Sequence, residues 1–111
     1  MPNFARLKFS TPGKAYLVDA QSTDEVRTAV QQLKHEPWAD DLTSVQVNSI
    51  TIPRRTTDNS SAPLSFEGTQ PPQPTESEIH EALRHPDLLA TDCVLAILVE
   101  RWLNADEFVS A

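Results

Sequence analysis

Proline placement limits this chain more than any other feature of its sequence. Nine prolines stand against two glycines in 111 residues. A proline lacks the backbone N–H and fixes φ, so it stops a helix and cannot sit inside a paired strand. Pro12 falls in a turn, Pro37 and Pro53 close the elements before them, and Pro86 separates two helical patterns. Four more (Pro63, Pro71, Pro72 and Pro74) fall within residues 56–74. That stretch also holds Asp58-Asn59-Ser60-Ser61 and reads as a long loop, with Leu64 and Phe66 able to pin a short extended piece onto the body. The chain therefore divides into a body (1–55), a proline-rich connector (56–74) and a C-terminal part (75–111), all within one domain's length.

Residues 4–9 and 15–20 read as a β-hairpin. Ala5, Leu7 and Phe9 alternate on one face, as do Tyr16, Val18 and Ala20. A four-residue loop over 11–14 sets Ser10 against Ala15, which pairs Phe9 with Tyr16, Leu7 with Val18 and Ala5 with Ala20. The same register sets Arg6 against Asp19 on the other face, a favourable cross-strand charge pair. Residues 22–36 read as a helix: Ser22 caps it, Glu25 completes a capping box, and Val26, Ala29, Val30 and Leu33 form one apolar stripe. Asp24 and Glu25 at its start, and Lys34 and His35 at its end, suit the helix dipole. Residues 43–52 read as a strand whose apolar parity switches from Val45 and Val47 to Ile50 and Ile52. Either the strand is buried on both faces or a bulge at Asn48-Ser49 resets it, and the bulge is the preferred reading.

Residues 75–84 read as a short helix with a second capping box, Thr75 to Glu78, and an apolar set of Ile79, Ala82 and Leu83. His85-Pro86 breaks it. Residues 88–104 read as a C-terminal helix; composition alone admits a strand over 93–99, but the surrounding Ala, Leu, Glu and Arg favour helix. Val94, Leu95, Ile97, Leu98, Val99, Trp102 and Leu103 cover more than one stripe, so this helix wants burial on two sides. The expected fold is α+β: a small antiparallel or mixed sheet in ββαβ order, a helix packed on it, the proline-rich loop and C-terminal helices.

The order hairpin, capped helix, strand resembles the first half of a β-grasp (ubiquitin-like) domain. Residues 4–20 with Pro12-Gly13-Lys14 supply the hairpin, 22–33 the helix crossing its face, and 45–52 a strand at the sheet centre. The resemblance implies no conjugation role, because no Gly-Gly pair occurs and ubiquitin-like chains lack such a C-terminal helix.

Charge is uneven. The formal net charge is −7. Residues 1–55 carry seven Lys/Arg and six Asp/Glu, a balance of +1, whereas residues 56–111 carry two and ten, a balance of −8. Acidity therefore belongs to the C-terminal half, which points to partners rather than to fold. A single cysteine, no signal-like start and no apolar run near the roughly 20 residues of a membrane span predict an intracellular protein with no membrane association. The spacing also excludes zinc fingers, the P-loop and the dinucleotide fingerprint.

Candidate chemical groups reduce to bland readings. His80-Glu81 with His85 looks like HExxH, but the histidines are five apart and point about 140° apart on a helix, at about 100° per residue; they read as surface or capping histidines, with Glu76 and Glu81 four residues before them. Cys93, beside Asp92, reads as a small buried hydrophobe rather than a nucleophile. Asp40-Asp41 and Asp106-Glu107 read as a solvated turn and a helix end. Arg6, Lys8, Lys14, Arg54 and Arg55 are the only basic candidates for phosphate, and Asp19 shares the face of Arg6 and Lys8, so direct nucleic-acid binding is disfavoured. Pro71-Pro72-Gln73-Pro74 satisfies a bare PxxP. Asn59-Ser60-Ser61 matches a glycosylation acceptor and Arg54-Arg55-Thr56-Thr57 a kinase site, each as a chance match. No cofactor, metal or catalytic set is expected.

The functional expectation is a non-enzymatic interaction protein, an adaptor or inhibitor, acting through the acidic helical end. Its partner-binding candidates are Glu76, Glu78, Glu81, Asp87, Glu100 and the anchor Trp102, with a homodimer through the C-terminal helix as one form of that contact. The alternatives are an acidic mimic of nucleic acid that occupies a basic groove, as some viral inhibitors do, and a small enzyme of unknown type.

Overall fold

The structure, a computed structural model, describes residues 4–53 and 73–104. Four strands form one antiparallel sheet: β1 (Ala5–Ser10), β2 (Ala15–Ala20), β3 (Ser44–Val47) and β4 (Ile50–Pro53), in the spatial order β2-β1-β3-β4. Three α-helices accompany it, α1 (Thr23–Leu33), α2 (Glu76–Arg84) and α3 (Asp92–Asn104). The α+β class expected from the sequence is the one observed. Residues 54–72, with Arg54, Arg55, Leu64, Phe66 and most of the proline-rich stretch, and the pair Asp106-Glu107 lie outside the described residues.

The first hairpin has the expected register. Ala5 pairs with Ala20, Leu7 with Val18, Phe9 with Tyr16 and Ser10 with Ala15. Thr11 closes the four-residue loop, its N–H donating to the Lys14 carbonyl at 2.8 Å. On the outer face the Arg6 guanidinium donates to the Asp19 carboxylate at 2.9 Å. That hydrogen bond, and then the charge of Asp19, raises the Arg6 pKa, so this guanidinium stays charged throughout.

The parity switch at Asn48-Ser49 is a turn, not a bulge. Val47 pairs with Ile50 and Val45 with Ile52, so residues 44–53 fold back as a second hairpin with a two-residue loop. Asn48 adopts φ 54°, the left-handed conformation that primed hairpin turns require and that asparagine tolerates. The sheet thus has four strands where the sequence suggested three. The resemblance to a β-grasp half ends here: the third strand turns back into a fourth, and two helices follow.

One sheet face carries the core. Ala5, Leu7, Phe9, Val45, Val47 and Ile52 are buried against Val26, Val30 and Leu33 of α1 and Leu95, Ala96 and Val99 of α3. α1 lies against β2, and α3 against β3 and β4, so the two helices cover the face side by side. Ser22 caps α1 by accepting from the Glu25 N–H at 3.2 Å, while the Glu25 carboxylate reaches back past the cap to the Gln21 N–H at 3.0 Å. The Lys34 ammonium donates to the Trp102 carbonyl at 3.0 Å, which ties the C-terminal ends of α1 and α3 together.

α3 is shorter than expected and is buried along two adjoining stripes, with Asp92, Cys93, Arg101 and Asn104 exposed. It starts at Asp92, with the Val94 N–H directed at the Thr91 hydroxyl at 3.4 Å; residues 88–90 belong to the connector from α2. Its second apolar stripe, Val94 and Leu98, lies one step of about 100° from Leu95 and Val99. α2 covers that stripe with Ile79 and Ala82. Leu83, expected beside them in the core, is 49% exposed. Cys93 falls outside both stripes and is exposed, contrary to its reading as a buried hydrophobe.

Candidate functional site

The acidic end is built from α2, the connector 85–91 and the first turns of α3. α2 has only nine residues, too few to hold a helix alone. Its N-terminus is fixed by the complete capping box. The Thr75 hydroxyl accepts from the Glu78 N–H at 3.1 Å, and the Glu78 carboxylate accepts from the Thr75 N–H at 3.0 Å and from its hydroxyl at 3.1 Å. The backbone bond first, then the hydroxyl bond, holds the Glu78 carboxyl below the usual glutamate range. Arg101 of α3 donates to Glu76 at 3.2 Å and ties the two helices across their exposed sides.

The connector is pinned to the body by the start of α1. The first N–H groups of a helix lack intrahelical acceptors. Here the Thr23 N–H and hydroxyl both donate to the Leu88 carbonyl, at 3.2 and 2.7 Å, and the Asp24 N–H donates to the Pro86 carbonyl at 2.7 Å. The Thr23 side chain is buried in this joint. At the start of α3, the Asn48 amide donates to the Asp92 carboxylate at 2.7 Å, which links the β3–β4 turn to the helix.

Two clefts flank α2. The first, of about 280 Å³, runs between α2 and the connector; Ala82, Leu89 and Val94 form its apolar floor, and Glu78, Glu81 and His85 its polar rim. Leu88 stands on its edge with 61% of its surface exposed. The second, of about 370 Å³, lies on the α1 side and is lined by Leu83, Pro86 and Trp102 with Asp24 and Arg27.

The predicted interaction residues are therefore divided. Glu78 and Glu81 meet on the first cleft, and Asp87 is exposed in the connector beside Leu88. Trp102 is half-buried and lines the second cleft. Glu76 is engaged with Arg101, and Glu100 is half-buried with an interaction of its own. Glu81 is also shared: its carboxylate lies 3.2 Å from the His85 ring and 3.9 Å from Arg84. His85 is the C-cap of α2, and His80 is an exposed residue of the same helix. Asp41 is exposed in a single 3₁₀ turn. Leu88 and Leu83 were not among the expected site residues.

Among the described residues no group of three or more His, Cys, Asp and Glu is placed to hold a metal ion, and no helix is long and apolar enough to cross a membrane. No protein-family profile, curated protein or solved structure matches the chain.

Proposed function

We propose that this chain is a non-enzymatic protein-interaction module whose acidic α2 end takes a basic-flanked apolar segment of another protein. One observation carries the reading: an apolar cleft with Leu88 exposed at its edge has the carboxylates of Glu78 and Glu81 on its rim. An apolar anchor supplies affinity by leaving water, and the surrounding charge selects the partner and speeds encounter. The partner segment that fits carries one or two large apolar side chains flanked by Lys or Arg. An adaptor or inhibitor role follows from occupancy of this cleft. Glu76 and Glu81 are engaged with Arg101 and with Arg84 and His85, which favours a local anchor over wholesale imitation of a nucleic-acid backbone.

Selection of a displayed peptide library on the full chain tests the reading. Selected peptides should combine apolar anchors with basic flanks and lose affinity as salt rises. Leu88→Lys should abolish their binding and Glu81→Lys should weaken it, both without change in the circular dichroism spectrum. Selected peptides that bind Leu88→Lys and Glu81→Lys as well as the parent chain would overturn it. Binding that depends on the acids but not on Leu88 would transfer the reading to nucleic-acid mimicry.

A further inference from the structure

The β2 edge of the sheet carries a second surface. Hydrogen-bonded and non-hydrogen-bonded pairs alternate along an antiparallel ladder. The Thr11–Lys14 bond sets the phase of the first hairpin, so Tyr16, Val18 and Ala20 direct their backbone groups to β1. The other edge of β1 agrees: the Arg6 and Ser10 carbonyls accept from the N–H groups of Asn48 and Thr43 on the β3 side. Ala15, Leu17 and Asp19 therefore direct N–H and C=O away from the sheet. Among the described residues no strand lies beyond β2.

Free sheet edges are normally blunted by shortness, proline or inward charge. β4 is blunted: it has four residues and ends at Pro53. β2 is not. It has six residues, no proline and one charge, Asp19, which Arg6 already holds. Leu17 is 62% exposed on its outer face. On its inner face an open cleft of about 420 Å³ separates β2 from α1, lined by Tyr16, Val18, Ala29, Gln32 and Trp38. Tyr16 and Trp38 stack there with ring centroids 4.0 Å apart.

We propose that β2 is a dimerisation edge, pairing antiparallel with β2 of a second copy about a two-fold axis at Leu17. Centred there, Leu17 meets Leu17 and each Ala15 meets Asp19 of the other copy, and these three pairs join the outward backbone groups. On the inner face Tyr16 meets Val18, which prolongs the apolar rows Phe9–Tyr16 and Leu7–Val18 across the axis and closes the open side of the cleft. Neighbouring registers are worse. A centre at Val18 sets Leu17 against the Asp19 carboxylate, a centre at Asp19 sets the two aspartates together, and a centre at Tyr16 runs Asp19 past the strand to Gly13. The sequence of β2 is thus self-complementary in one register, which singles out a second copy over an unrelated strand.

Sedimentation over a concentration series, with amide exchange read residue by residue, tests this on the full chain. The expected result is a species of twice 12.3 kDa, with the Ala15, Leu17 and Asp19 amides gaining protection as concentration rises. Leu17→Lys, at an exposed position, should weaken the dimer at least about tenfold by setting two ammonium groups together on the axis. Ala15→Lys should tighten it by roughly 2- to 30-fold through Asp19 of the other copy, an outcome that misfolding cannot imitate. His80→Lys, at an exposed position of α2, should change nothing. A monomer at millimolar concentration, a dimer indifferent to Leu17→Lys, or edge protection that persists on dilution would each overturn the proposal.

Discussion

Asn48 joins three parts of the molecule, and its replacement separates two kinds of energy. It opens the two-residue turn of the second hairpin with φ 54°. Its side-chain oxygen accepts from the Arg6 N–H at 2.9 Å, its own N–H donates to the Arg6 carbonyl at 2.9 Å, and its amide donates to Asp92 at 2.7 Å. Asn48→Gly removes both side-chain bonds but leaves the positive φ free of strain. Asn48→Ala removes the same bonds but keeps a Cβ in the left-handed region, now without the local hydrogen bonding by which asparagine tolerates it, at about 1–2 kcal/mol.

Each side-chain bond contributes about 0.5–1.5 kcal/mol net, and their partial exposure keeps both toward the lower end. Asn48→Gly should therefore cost about 1–2 kcal/mol, including the greater freedom of glycine in the unfolded chain. Asn48→Ala should cost about 2–4 kcal/mol. Urea unfolding of the parent and both variants, with equal m-values as the check on a common transition, gives these differences. Equal midpoints for Gly and Ala would refute the strain argument. A Gly variant as stable as the parent would show that the bonds to Arg6 and Asp92 hold nothing, and that α3 does not need the β3–β4 turn.

Thr75→Ala should cost about 1 kcal/mol by deleting the cap of α2, read as faster amide exchange in α2 than in the sheet. The folded pKa of Glu78 lies below its unfolded value, so its contribution is fully present above the unfolded pKa and is lost as pH falls through the folded one; α2 should loosen in acid below the ordinary glutamate value of about 4.3. Glu78→Gln should flatten that part of the acid profile, and an unchanged profile would count against it. Thr23→Val should cost about 0.5–1.5 kcal/mol, because the Leu88 carbonyl keeps the Thr23 N–H but loses its hydroxyl. Exchange of the residue 85–91 amides should rise with it, and an unaltered connector would refute the joint.

How much of this was legible depended on whether the signal was local. The first hairpin was readable because period-two alternation and the Arg6–Asp19 pair agree on one register. Both N-caps were readable because a cap and its partner stand three residues apart; the Thr75–Glu78 box is complete, whereas the Glu25 carboxylate bonds the Gln21 N–H in place of the expected Ser22 N–H. The second hairpin was not. A bulge and a two-residue turn shift apolar parity alike, and Asn48-Ser49 lacks the glycine that makes Asn-Gly a strong hairpin signal. What distinguishes them is pairing of β3 with β1 on one side and β4 on the other, which is tertiary. Residues 88–90 misled for a related reason: Leu88, Leu89 and Ala90 continue an apolar pattern, but the Leu88 carbonyl serves the N-terminus of α1, 65 positions away in sequence for the Thr23–Leu88 bond. The Leu17 edge could have been read, since its parity opposes that of Tyr16 and Val18 and leaves a large apolar residue on the solvent face.

The breadth of the apolar surface on α3 admitted two explanations, a partner or a second layer, and the second accounts for most of it. Leu95, Ala96 and Val99 face the sheet and α1, while Val94 and Leu98 face α2. A homodimer built on α3 would have to displace α2 to reach that stripe. Ile79 is the one large side chain of α2 buried there, and full burial of such a side chain contributes about 1.5–3 kcal/mol. The capping box and the Glu76–Arg101 bond add to it, yet α2 still has the smallest apolar anchor of the three helices. Under the proposed reading, a ligand entering beside Ala82 and Val94 acts on the least anchored helix, which also carries the Glu78 and Glu81 carboxylates. Charge at Glu78 and Glu81 and the position of α2 are thus coupled through one short element, which is why the cleft, rather than α3 itself, is where a partner would be felt.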